Sequence, residues 1–176
     1  MNTPPTDGLF LHALGWLLKE LFDGPQGNPG FVLNATDAGL LSQLDAIDAT
    51  SASSHPTLGK TSIVDHARHL EYSLSLLNLW LDGEENPWAT ADWDASWRLG
   101  AVDESGWQSV RTGLRDQATR WRERIGQRTE WNEIAAAGSL ASAVHTAYHF
   151  GAIRQLLAAL RPIKSGNSKR SGVEYK

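Results

Sequence analysis

A long amphipathic segment runs from Ser62 to Asp82 and reads SIVDHARHLEYSLSLLNLWLD. Its apolar residues recur every three or four positions, the spacing that places side chains along one face of an α-helix. Thr61 or Ser62 can accept a hydrogen bond from a free backbone amide at the helix start, and Gly83 and Pro87 follow its end. The apolar stripe consists of Ile63, Ala67, Leu70, Leu74, Leu77 and Leu81. The segment therefore predicts a long helix with one buried face.

Three other long segments show the same periodicity and are separated by residues that end helices. The run GPQGNPG at 24–30 ends the first of them. A shorter apolar pattern precedes a polar loop at 51–60, and Asp103 can cap the third long helix. The predicted helices outside 62–82 span about 7–22, 36–49, 104–127 and 138–161. No credible strand pattern competes with these assignments.

The arrangement of these segments predicts an all-α protein. Four long amphipathic helices that each bury one face are best accommodated in an antiparallel four-helix bundle, here with one additional short helix. Two long connections, at about 24–35 and 83–102, distinguish the chain from an idealised up-and-down bundle. We expect a single domain over 1–162 and a polar, mobile tail over 163–176.

Composition excludes several classes of function. The chain has 176 residues, a formal net charge of −4 and no cysteine. Disulfides, thiolate metal sites and a cysteine nucleophile are therefore excluded, and the negative charge gives no general attraction to nucleic acid. No basic residue precedes the first apolar run, and no apolar run approaches the length of a membrane span. We therefore expect a cytoplasmic protein with no nucleic-acid or membrane partner.

Four of the six histidines lie in two pairs on predicted helices. His145 and His149 are four residues apart, so their directions differ by about 40° and their heights by about 6 Å, and both can point to one place. His66 and His69 lie on the earlier helix, which can supply a third imidazole if the two helices pack together. Three imidazoles with positions left open to water or substrate are typical of a catalytic metal site. The alternative is that these histidines are partly buried and satisfied by hydrogen bonds.

Other metal sites of known chemistry do not fit these residues. A zincin helix would need Glu directly after His145, where Thr146 stands. No histidine of either pair has Glu three residues before it, as a di-iron bundle would require. Periodicity leaves the choice of third ligand open and mildly favours His66, which lies nearer the centre of the apolar stripe than His69.

Two stretches resemble motifs of the DinB/YfiT-like superfamily. In that family a Ser or Thr is followed seven residues later by a ligand histidine and then Leu, as in Ser62, His69 and Leu70. The last-helix motif His-x-x-x-His-x-Gly-x-Ile is similar to residues 145–153, which read HTAYHFGAI. The resemblance covers about 7–160. The chain departs from the family at Ala152, where Gln often follows the motif glycine.

The resemblance implies that His69, His145 and His149 bind one divalent metal ion, such as zinc, nickel, manganese or iron. Family members are known or proposed as metal-dependent hydrolases and as transferases that use low-molecular-weight thiols, and analogy with them suggests a homodimer. We therefore expect a metal-dependent enzyme that acts on a small-molecule substrate, as a thiol-dependent S-transferase or a hydrolase. The alternative is a non-catalytic metal-binding or interaction module on the same scaffold.

Several other residues have competing interpretations. Asp65 could act near the site, stabilise the start of its helix or lie on a solvated face. His66 could orient a ligand or relay a proton, the alternative being a plain surface or buried histidine. Tyr148 is expected to pack with its hydroxyl satisfied, and the arginines at 111–124 are expected on a solvated face.

Trp16, Trp107 and Trp121 are expected in the core. Three more tryptophans are expected to pin the 83–102 connection to the bundle, the alternative being a substrate wall or a dimer contact. These are Trp88, Trp93 and Trp97.

Overall fold

The computed structural model describes residues 6–27, 30–56 and 61–160, and every regular element in these ranges is an α-helix. This confirms the all-α class predicted from periodicity. Four of the helices are long and three are short. In chain order the helices are α1 Thr6–Asp23, α2 Leu40–Asp45, α3 Ala49–Ser53, α4 Ile63–Leu81, α5 Trp93–Ser96, α6 Glu104–Gly126 and α7 Glu133–Leu160.

The four long helices pack around one apolar core. α4 packs most extensively against α6, α7 lies against both α1 and α4, and α1 also contacts α6. Trp107 and Trp121 on α6 are fully buried, as expected from the sequence. Each indole N–H has an acceptor, the Ile47 carbonyl at 2.9 Å for Trp107 and the Ser142 hydroxyl at 3.1 Å for Trp121. The two rings therefore tie α6 to the segment after α2 and to α7.

The start of α4 is fixed by a capping box. The Ser62 hydroxyl accepts the Asp65 backbone N–H at 3.2 Å, and the Asp65 carboxylate accepts the Ser62 backbone N–H at 2.8 Å. Gly83 follows the end of the helix with a φ of 101°, which a residue with a side chain rarely adopts. These ends hold α4 so that His66 and His69 lie in its first two turns.

The boundaries of three segments differ from the sequence prediction. The last helix begins at Glu133 rather than at Gly138. The Asn132 side chain caps it by accepting the Ala135 N–H at 2.8 Å, and the alanines at 135–137 carry the helix past the glycine. The single helix predicted over 36–49 is replaced by α2 and α3, and α3 extends into the loop predicted at 51–60. Asp48 caps α3 by accepting the Ser51 N–H at 2.7 Å.

Trp16 lies on the outer face of α1 instead of in the core. Its side chain is 45% exposed and packs edge-on against Phe31, with 5.4 Å between ring centroids. Leu14 and Leu18 occupy the buried face of the same helix. Helical spacing alone therefore assigned this tryptophan to the wrong side. The tail predicted over 163–176 lies outside the described residues.

Candidate metal centre

Three imidazoles converge between α4 and α7. His69 comes from α4 and His145 and His149 come from α7, and each offers a ring nitrogen within 4.8 Å of the other two. The Nε2 atom of His145 lies 2.9 Å from Nε2 of His149 and 3.3 Å from Nε2 of His69. The fold thus brings together the three residues named by the sequence resemblance, and this group could hold a metal ion.

The nitrogen separations suit a shared divalent ion. Nitrogens at about 2.0–2.1 Å from one ion lie about 2.9 Å apart at right angles and about 3.4 Å apart at tetrahedral angles. The two observed separations, 2.9 and 3.3 Å, fall in this range. Hydrogen bonding accounts for them less well, because a neutral His145 with its proton on Nε2 can donate it to only one of the two neighbouring rings. Imidazole donors suit zinc, nickel and iron, whereas manganese prefers oxygen ligands.

Ser96 on α5 sets the tautomer of His69. The Ser96 hydroxyl donates its single hydrogen to the Trp93 carbonyl at 2.6 Å, so it can only accept from His69. Nδ1 of His69 lies 2.8 Å from that hydroxyl oxygen and therefore carries the ring proton. Nε2 of His69 is left with a free lone pair that faces the other two histidines.

The other two rings also have partners at Nδ1. Nδ1 of His149 lies 2.9 Å from Nδ1 of His66, and Nδ1 of His145 lies 3.3 Å from the Ser73 hydroxyl. The nitrogen on the far side of each ring is Nε2, which faces the cluster. His66 therefore lies behind His149, where it can orient that ring, as one interpretation of the sequence proposed.

Burial favours the neutral form of all four imidazoles. Burial first, and then the neighbouring rings, lower the pKa of His69 to about 4 and the pKa of His149 to about 3. Burial also lowers the pKa of His145, and it lowers the pKa of His66 against the opposing effect of the Asp65 charge. Neutral imidazole is the form that binds metals, so near neutral pH the rings are ready to do so.

Trp97 forms one wall of the histidine cluster. Its ring stacks on His69 with centroids 4.1 Å apart and planes 20° apart, and it lies edge-on to His66 at 5.4 Å. Trp93 lies at the other end of α5, and its ring centroid is 5.9 Å from that of His69. The aromatic side chains thus pin the 83–102 connection to the bundle, the interpretation favoured from the sequence, and they also line the site.

The structure decides between the interpretations of Asp65 and Tyr148, which each precede a histidine in the sequence. The Asp65 carboxylate accepts both the backbone N–H and the hydroxyl of Ser62, so its role at the helix start is borne out by the contacts. Tyr148 is 72% exposed, and the expectation that it packs was wrong. It lies about 100° around α7 from His149, so the rotation that buries His149 turns Tyr148 toward solvent.

No family model, curated protein or solved structure matches this chain. The resemblance to the DinB/YfiT-like superfamily therefore depends on the motif around His69 and on the motif at 145–153. Throughout 6–27, 30–56 and 61–160, no helix combines the length and the apolar character needed to cross a membrane.

The arginines of α6 form ion pairs with residues of neighbouring helices. Arg115, Arg120 and Arg124 keep 45%, 48% and 39% of their side chains exposed, as a solvated face predicts. The Arg111 side chain is only 14% exposed, so that expectation was wrong for it. Arg111 and Arg115 pair with Asp45 of α2, and Arg124 pairs with Asp82 at the end of α4. Exposed pairs of this kind contribute about 0–1 kcal/mol each. The pairs join α6 to α2 and to the end of α4.

Sequence reasoning did not identify the two hydroxyls that contact the histidines. Ser73 lies four residues after His69, on the same side of α4, so its position on the helix was a usable signal. Ser96 offered no such signal, because its contact with His69 depends on where the short helix α5 docks.

Proposed function

We propose that this protein is a metal-dependent enzyme of the DinB/YfiT-like type, a four-helix bundle whose His69, His145 and His149 hold one divalent ion through Nε2. One observation carries the proposal. The Nδ1 atom of each of the three rings has its own partner, whereas the Nε2 atoms face one another. Ligand histidines bind their second ring nitrogen to protein groups in this way, so that the metal-facing nitrogen keeps a fixed direction.

The residues around the ion define what the site can do. A divalent ion held there would lower the pKa of a bound water or thiol and would polarise a substrate oxygen. Ser96 and His66 fix the orientation of two of the rings, and Trp97 shields the His69 side of the cluster from solvent. Asp65 is committed to its capping box and has no part in proton transfer in this proposal. The reactions that fit are thiol-dependent S-transfer and hydrolysis.

Two features favour a catalytic ion over a purely structural one. Structural zinc sites normally have four protein ligands, whereas this group has three. The fold also has its own source of stability, because side chains such as Leu70, Leu114 and Phe150 are almost fully buried in a core shared by the long helices. The proposed enzyme therefore does not need the ion in order to fold.

Substitution of His145 by Ala separates the two roles. The wild-type protein and the variant would be assayed with a thiol plus an electrophile and with activated esters, and their melting temperatures would be compared. A catalytic ion predicts loss of the reaction with a nearly unchanged melting temperature. A severe drop in melting temperature would indicate a structural ion instead. His12→Ala is the matched control, because His12 is exposed on α1.

A further inference from the structure

A cavity opens onto the histidine cluster from the side of α7. It has a volume of about 470 Å³, within the range of small-molecule sites, and it lies between α4, α7 and the tryptophans of the 83–102 connection. His69 and His145 both line it. The other described residues that line it are Ser73, Leu77, Trp88, Trp93, Gly138, Ala141 and Ser142.

The polar side chains of this cavity are already engaged. The Ser73 hydroxyl contacts Nδ1 of His145 at 3.3 Å. The Ser142 hydroxyl donates to the Ser139 carbonyl at 2.7 Å and accepts the Trp121 N–H at 3.1 Å. None of the described lining residues is an acid, a lysine or an arginine. Apart from the two histidines and these two serine hydroxyls, the described side chains that line the cavity are aliphatic or aromatic.

The tryptophans form a fixed aromatic wall. The Tyr72 hydroxyl accepts the Asp92 backbone N–H at 3.0 Å. The Tyr72 ring lies edge-on to the Trp93 ring, with 5.8 Å between centroids. The ring centroid of Trp88 lies 6.4 Å from the ring centroid of Trp80 on α4. Both wall tryptophans keep more than a third of their surface exposed, 37% for Trp88 and 38% for Trp93. Large apolar rings held in place and left half-open are suited to stack against a ligand.

The surrounding charges select against anions. The connection that carries the wall is acidic, with Asp92 and Asp94 exposed beside Trp93 and Glu84 and Glu85 exposed before Trp88. An anionic group on the body of a ligand would be repelled by these carboxylates and would lose its hydration where the described lining offers no Lys or Arg, because the proposed divalent ion is confined to the histidine end. An uncharged ligand meets neither cost.

We propose that this cavity binds the body of the substrate, and that the substrate is an uncharged, flat aromatic molecule with one donor atom directed toward His69 and His145. Its ring lies between Trp88 and Trp93 on one side and Gly138 and Ala141 on the other. The proposal rests on the proposed function, since it assigns a substrate class to the same site. It excludes from this cavity a thiol whose carboxylate lies on the aromatic body, away from the sulfur.

Gly138 lines the cavity and allows a side chain to be added there without a clash at Cβ. A Cβ added at Gly138 meets no atom within 4 Å, so the side chain of Gly138→Leu projects into open space. Leu is also a better helix former than Gly. Gly126→Leu is the matched control, because Gly126 lies at the end of α6, is exposed and has equally open surroundings.

The test is calorimetric titration of the full chain with two matched probes, benzyl mercaptan and 4-(mercaptomethyl)benzoate, with the metal content of each sample measured in parallel. We expect the neutral probe to bind at least about tenfold more tightly than the charged one. Gly138→Leu should weaken binding of the neutral probe by about tenfold or more, and Gly126→Leu should leave it unchanged. The metal content should be the same in both variants.

The outcomes separate the two proposals. Equal binding of the two probes, or wild-type binding by Gly138→Leu, in protein that carries one metal per chain would overturn the cavity assignment and leave the metal centre intact. The opposite outcome is protein that takes up no metal but still binds the neutral probe, with binding weakened by Gly138→Leu. That result would overturn the proposal of a metal-dependent enzyme and support the assignment of the cavity. Trp88→Leu serves as a second variant and should also weaken binding of the neutral probe.

Discussion

The Nδ1 atoms of His66 and His149 lie 2.9 Å apart, in the buried space between α4 and α7. Two neutral imidazoles at this distance share one hydrogen, so one ring donates and the other accepts. If His149 donates, its Nε2 carries a lone pair directed at His69 and His145. With the hydrogen bond in that direction, His66 holds His149 in the tautomer that can bind a metal.

Substitution of His66 by Ala should weaken metal binding without abolishing it. His149 then loses the partner of its Nδ1, and loss of such a partner typically lowers metal affinity about 10–100-fold. Competition with a chromophoric chelator would measure the affinity, and the stoichiometry at saturation should remain one ion per chain. His12→Ala, at an exposed position of α1, should match the wild type. Loss of all binding in His66→Ala would instead make His66 a ligand.

Substitution of Ser96 by Ala should act on His69 in the same way. The change removes the acceptor that lies 2.8 Å from Nδ1 of His69, which leaves its tautomer free. We expect an affinity loss of about tenfold in the same competition assay. Ser109→Ala is the control, because Ser109 is exposed on α6 and its hydroxyl donates to the Ser105 carbonyl. Equal affinities for the two serine variants would refute the role given to Ser96.

Substitution of Ser62 by Ala should lower stability and spare the metal site. The change removes the side-chain half of the capping box at the start of α4. The free energy of unfolding should fall by about 1–2 kcal/mol, as measured by urea denaturation. Metal stoichiometry should stay unchanged, since the histidines keep their partners. A loss of metal as large as that of a ligand variant would mean that the cap positions the site directly.

The stability of the metal-free protein should decrease on acidification. In the unfolded chain histidine titrates near pH 6.5, whereas in the folded protein the pKa is about 4 for His69 and about 3 for His149. At pH values between the pKa of the folded protein and that of the unfolded chain, the unfolded chain binds more protons than the folded protein. The stabilising contribution is therefore complete above pH 6.5 and is lost progressively as the pH falls toward 4.

Urea denaturation of chelator-treated protein at about pH 7.5 and about pH 5 would measure this dependence. His149→Gln should reduce the difference between the two pH values, because it removes the group with the most strongly lowered pKa. His55→Ala is the control, since His55 is exposed. Equal stability of the wild type at both pH values would contradict the burial of neutral imidazoles described above.

Local signals in the sequence predicted the parts of the fold that depend on local contacts. The cap residues Ser62 and Asp103 marked the starts of α4 and α6, because N-capping joins residues three positions apart. The start of α7 was placed too late, since Gly138 was taken as the helix start although Asn132, a better N-cap residue, lies six residues earlier. Trp16 was assigned to the core because periodicity shows that a helix has faces but not which neighbour covers each face.

The prediction of the candidate site likewise succeeded where it depended on local spacing and failed where it depended on packing between elements. The spacing of His145 and His149 predicted that they point together, and the motif at Ser62 indicated His69 rather than His66 as their companion. Periodicity had mildly favoured His66, because a helical wheel does not include the rotation set by packing against α7. The contact of Ser96 with His69 depends on the docking of a four-residue helix, which no local pattern encodes.

The central claim is that Nε2 of His69, His145 and His149 binds one divalent ion. Elemental mass spectrometry on protein purified without an affinity tag, as isolated and after reconstitution with zinc, nickel or iron, tests it most directly. We predict close to one ion per chain in the wild type and in His66→Ala at saturating metal, and loss of that ion in His69→Ala, His145→Ala and His149→Ala. Absence of metal from every wild-type preparation, or full retention by the three ligand variants, would contradict the account.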